Sequence, residues 1–243
     1  MSLELLKWIV LPLAALLAAT LAAVTGFGGA AVLLPVLVAV FGIRAAIPIL
    51  TVAQLIGNGA RVWFNRGELA WRVVGWFALG GVPLAMVGGY LFAVAPLPAL
   101  TRLLGAFLLI VVLWRHVRPR QAKPFPAPAF AGIGAGSGLL SALLGSVGPL
   151  MAPFFLAYGL AKGAYIGTEA MCTVVMHVTK LVAYHRAAVL TGRDVLAGLL
   201  LGPLMIAGSY LGKHVVDRLP RSLFVAIIEI VLLGAGLIFL LRG

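Results

Sequence analysis

The chain has 243 residues, 63% of them hydrophobic and only 10% charged, with a mean hydropathy of +1.16 and a formal net charge of +12. So few charged groups cannot cover a soluble domain, which excludes that class and leaves a polytopic membrane protein. Barrel strands would alternate apolar and polar residues, and these runs do not, so the expected class is an all-α membrane domain.

The excess of cations suggests nucleic acid at first, but Arg44, Arg66, Arg72, Arg102, Lys162, Arg186, Arg193, Lys213 and Arg242 are scattered at the ends of apolar runs. There they anchor and orient membrane segments, and no nucleic-acid partner is expected. Only Glu4, Glu68, Glu169, Asp194, Asp217 and Glu229 are acidic, so a cavity in this chain favours an anion over a cation. Cys172 is the one cysteine, which rules out an intrachain disulfide and a thiolate metal cluster; no cofactor and no metal is expected.

In chain order, Leu3 to Val24 reads as a retained first helix rather than a cleaved signal, because apolar character continues past it to Phe41. Gly26, Phe27, Gly28 and Gly29 interrupt it, and the run Ala30 to Phe41, with Pro35, is short for a full crossing. A broken or re-entrant helix is expected there. Helices follow at Ala46 to Phe64, Val73 to Val94 and Arg102 to Trp114. The basic, proline-bearing stretch after them reads as a cytoplasmic linker, dividing the chain into a first repeat (1–115), a linker (116–128) and a second repeat (129–243).

The second half retells the first: a helix at Ala129 to Leu144, an interruption at Gly145 to Pro149, a short run to Tyr158 with Pro153, then helices at Ala164 to Tyr184, Val195 to Gly212 and Leu223 to Leu241. Gly29 matches Gly148, Pro35 Pro153, Asn58 His177, Arg61 Lys180, Pro83 Pro203, Gly88 Gly208 and Tyr90 Tyr210, each pair about 120 residues apart. Five segments per half would give the halves opposite orientations, the inverted repeat of many secondary transporters.

Two helices carry polar stripes. Glu169, Thr173, His177 and Lys180 are spaced by four, four and three residues, and Thr51, Gln54, Asn58 and Arg61 by three, four and three, so each set shares one helical face. A charge facing lipid costs several kcal/mol, so both stripes should look inward. Lys180 and Arg61 can supply charge to an anion, with hydrogen bonds from Asn58, His177, Thr168 and Thr173, and more weakly from Thr51 and Gln54. The breaks at Gly28, Gly29 and Gly148 free backbone N–H groups beside a helix start, where anions bind. Glu169 and His177 are the proton-coupling candidates. The blander alternatives are snorkelling for Lys180, a satisfied packing role for His177, a dipole-stabilised position for Glu169, and close helix contact for the glycines. Glu229, alone in its apolar run, has no partner that the sequence identifies.

The run Gly26 to Gly29 through Pro35 to Gly42, and its echo from Gly138 to Pro153 followed by Gly159, Lys162, Gly167, Thr168, His177, Thr179, Lys180 and Tyr184, resembles the sulfite exporter TauE/SafE family of membrane permeases. It departs from that pattern at Leu50 and Thr51, where Thr-Ser is usual, and at Thr168 and Glu169. The resemblance implies export of sulfite or an organosulfonate across the bacterial inner membrane, with the bilayer, a small anion and a coupling proton or ion as partners; a homodimer stays open. There is no GxxxxGK[ST] stretch for ATP, and no HExxH or serine elbow for catalysis, so the chain is read as a transporter and not an enzyme. The rival readings are an intramembrane enzyme using Glu169 and His177, and a transporter of a different small anion or metabolite.

Overall fold

The computed structural model describes residues 3–25, 29–116, 126–215, 233–234 and 236–241. Among them lie α1 (Leu3–Thr25), α2 (Gly29–Phe41), α3 (Ile43–Phe64), α4 (Trp71–Val94), α5 (Leu97–His116), α6 (Ala129–Leu144), α7 (Gly148–Ala157), α8 (Lys162–Arg186) and α9 (Gly192–Val215), and the described residues of 233–241 are helical as well. No strand occurs among the described residues. Gly26 to Gly28, the middle of the linker, and the segment carrying Asp217 and Glu229 lie outside them.

Among the described residues four helices are long and apolar enough to cross a membrane: α3, α4, α8 and α9. The outward faces of α4 and α9 carry Leu79, Val94, Leu196 and Leu200, all well exposed, as a lipid-facing surface requires. Trp63 and Trp71, with Arg66 and Arg72 beside them, mark one end of the α3–α4 hairpin as an interfacial belt.

Glycine punctuates the chain where two helices must change direction. Gly42 (φ 73°) separates α2 from α3 by a single residue, and Gly159 (φ 97°) sits between α7 and α8; a side chain would be strained at both. Arg44, just inside α3, donates to the carbonyls of Phe92, Ala93 (2.9 Å) and Ala95 (2.8 Å), capping the C-terminal end of α4 with a cation.

The helices pair across the two halves. The most extensive packing is α4 on α6, followed by α1 on α9; α3 packs on both α8 and α9, and α4 also packs on α8. Both leading contacts depend on small residues. A Cβ on Gly138 or Gly134 of α6 would strike the backbone of Gly81 or Phe77 in α4. Likewise a Cβ on Gly208 or Gly212 of α9 would come within 2.6 Å of the Leu16 or Thr20 carbonyl of α1. Close approach of backbones is what holds helices together where lipid removes the hydrophobic drive.

Candidate functional site

The two polar stripes face one another. Thr51, Gln54, Asn58 and Arg61 of α3 and Glu169, His177 and Lys180 of α8 are all buried, and Thr173 is half-buried. The helices cross antiparallel: Gly167, near the start of α8, packs on Asn65 at the end of α3, and the Thr168 hydroxyl accepts from the Ala70 N–H (3.0 Å).

Two buried cations mark the crossing, and each reaches a residue 39 positions earlier, Arg61 in α1 and Lys180 in α6. Arg61 donates to the carbonyl of Ala22 in α1 (3.1 Å) and to Asn58 Oδ1. Lys180, 0% exposed, donates to Ser141 O (3.3 Å), Ser141 Oγ (3.0 Å) and Gly145 O (2.9 Å) at the end of α6. Tyr184, one turn on, donates to Ala142 O (2.5 Å). Each cation therefore holds carbonyls near the C-terminal end of the helix that precedes a glycine break, where the helix dipole is negative. Lys180 does not snorkel; its three N–H donors meet three protein oxygens.

The cations differ in their counterions. Arg61 pairs with Glu169 Oε2 across the α3–α8 interface (3.3 Å), while the Lys180 partners are all neutral. Leu50 lies beside Gly145, the residue whose carbonyl Lys180 holds, so the α3 side chain approaching that end of the crossing is apolar. The Thr173 hydroxyl donates to Glu169 Oε1 (3.1 Å), whereas Oε2 accepts no aligned hydrogen bond.

A small pocket, about 10 Å³ in volume and so of the size of one water, lies at the α6–α7 break. Its polar wall is Ser141, Ser146, Gly148, Glu169, Cys172 and Thr173; Phe77, Met151, Phe155 and Met176 make it apolar elsewhere. α7 starts at Gly148 on the pocket wall; its N–H donates to Ser146 Oγ (3.5 Å), Pro149 has no N–H, and the Leu150 N–H donates to Val147 O (3.0 Å), so the positive end of the helix dipole lies beside a hydroxyl cluster. The lining therefore combines hydroxyls and a helix start with two buried cations behind the wall, the chemistry by which oxyanions are held.

Of the residues singled out in the sequence, Gly148, Glu169 and Thr173 line the pocket, and Arg61 and Asn58 stand directly behind Glu169. Lys180 acts on the wall through Ser141. The others engage elsewhere: the Thr51 hydroxyl bonds Ile47 O (2.8 Å), Thr168 holds the α3–α4 loop, and Gly29 packs on Ala18 of α1. Gln54 Nε2 and His177 Nδ1 are buried without a hydrogen-bond partner. Gln54 lies seven residues before Arg61 on α3 and His177 eight after Glu169 on α8, so the antiparallel crossing brings them to about the same level. Gly28 lies outside the described residues. Ser141 and Ser146 were missed by the stripe analysis; Ser141 had one available signal, its place on the face of α6 that also carries Ser137.

The sequence model of the sulfite exporter TauE/SafE family matches residues 11–239. The chain belongs to the TauE/SafE family. With four helices able to span a bilayer, this TauE/SafE member is a multi-pass membrane protein of a transporter family. Comparison with curated proteins and with solved structures finds no match.

Proposed function

We propose that this protein is a secondary transporter that exports a small sulfur oxyanion, sulfite or an organosulfonate, across the bacterial inner membrane. The observation that carries this reading is the pocket at the α6–α7 break, with hydroxyl and amide donors on its wall and Lys180 and Arg61 buried behind it, in a chain of the sulfite exporter family. Substrate oxygens would be held by Ser141, Ser146, Thr173 and the Gly148 amide, with Lys180 polarising Ser141.

Residues 1–115 and 129–243 act in this proposal as two inverted units that move against each other to expose the pocket to either side. The matched reach of Arg61 and Lys180, and the pairing of α4 with α6 and α1 with α9, support that reading. Glu169 and His177 are the groups proposed to carry a coupling proton.

The test is flux of sulfite, sulfate and methanesulfonate into liposomes bearing the purified protein, with each substrate recovered and identified on the far side. Chemically unchanged substrate is expected inside, and Lys180→Ala and His177→Ala should slow its entry. Wild-type rates in both variants would remove these residues from the site, and a chemically altered product would replace transport with catalysis.

A further inference from the structure

Arg61 is buried and takes no part in the pocket wall; Glu169 stands between it and the space a ligand would fill. An anion entering that space meets a carboxylate in a region of low dielectric before it meets the guanidinium, and like charges so placed repel strongly. Two contacts hold the carboxylate. One oxygen accepts from Thr173, itself on the pocket wall, and the other faces Arg61 at 3.3 Å without accepting an aligned hydrogen bond. A carboxylate on an arginine, flanked by a hydroxyl, has the shape and charge of a bound oxyanion.

Resting on the transport reading above, we propose that Glu169 is a resident anion, whose carboxylate holds the Arg61 guanidinium until an incoming oxyanion replaces it as Glu169 takes up one proton from the pocket water. The Glu169–Arg61 ion pair breaks, an oxyanion–Arg61 pair forms, and the protonated carboxyl becomes a donor to the ligand. On release the steps reverse: the anion leaves, the proton returns to water, and the ion pair re-forms. One proton therefore travels with each anion in the same direction.

Among the described residues Arg61 is the charged group that faces Glu169; His177, the other proton candidate, lies eight residues further along α8. From α3 the charged group is Arg61. The nearest acid of the α3–α4 loop, Glu68, lies against Gly163, nearer the start of α8. From α4, α6 and α7 the pocket receives Phe77, Ser141, Ser146, Met151 and Phe155, none of them charged at ordinary pH. On α8 itself Tyr165 and Cys172 sense the carboxylate, and both are buried.

The experiment measures binding of methanesulfonate and of sulfate, whose charges stay fixed over the range used, to the detergent-solubilised wild type and to Glu169→Gln from about pH 5.5 to about pH 8. Proton uptake on mixing is read in weakly buffered solution. Wild-type affinity should fall toward high pH, by up to about tenfold per pH unit, with about one proton taken up per anion bound, and Glu169→Gln should bind with no such slope. Wild-type binding without pH dependence or proton uptake, or an unchanged slope in Glu169→Gln, overturns this proposal and leaves the transport reading standing. Failure of both proteins to bind either anion at any pH overturns both. Should Glu169→Gln not fold, wild-type proton uptake alone decides.

Discussion

Lys180 and Arg61 do at residue scale what a membrane interior demands of a cation: each meets oxygens that would otherwise be orphaned. Lys180→Ala should therefore leave buried acceptors unpaired and lower stability by about 1–3 kcal/mol, seen as an earlier thermal unfolding midpoint in detergent. Arg61→Gln should cost more, about 3–5 kcal/mol, because it strands the Glu169 carboxylate; adding Glu169→Gln should restore much of that loss, and a double-mutant cycle measures the recovery. That these stripes face inward was legible, since hydrocarbon leaves charged groups nowhere else to go. Their backbone partners were not legible, because the Ala22, Ser141 and Gly145 carbonyls accept at positions that no side-chain pattern announces.

Helix by helix, apolar runs bounded by glycine foretold the elements closely; α6 spans Ala129–Leu144 as its sequence predicts. Where starts moved, they moved outward. α5 starts at Leu97 rather than Arg102, with Pro98 acceptable in a first turn, and α7 starts at Gly148 with Pro149 beside it, because helix continues through interfacial residues that an apolarity criterion discards. Which faces meet was harder to foresee, because glycine on a membrane helix signals a break and a close contact alike. Gly138→Leu and Gly208→Leu should each prise apart a helix pair and abolish a monodisperse peak on size exclusion. Gly132→Leu, at an exposed position with open space around it, should leave that peak unchanged.

For the whole molecule, the antiparallel crossing of α3 and α8 puts the loops at 65–70 and 187–191 at opposite ends of the bundle. In a Cys172→Ala background, Gly67→Cys and Ala188→Cys should react with a membrane-impermeant maleimide from opposite sides of the bilayer; reaction from one side would refute the arrangement. The pairing of α4 with α6 and of α1 with α9 has no local signature in the sequence. It arises only when both halves are folded together and their small-residue faces find each other.

The account stands on an oxyanion occupying the space beside the α7 start, and the most direct measurement is an anomalous difference map from crystals grown with selenate, a sulfate analogue that scatters strongly. A selenium peak within hydrogen-bonding reach of Ser141, Ser146, the Gly148 amide and Thr173 is the predicted result. A selenium peak elsewhere in the protein, with this pocket empty, would contradict it.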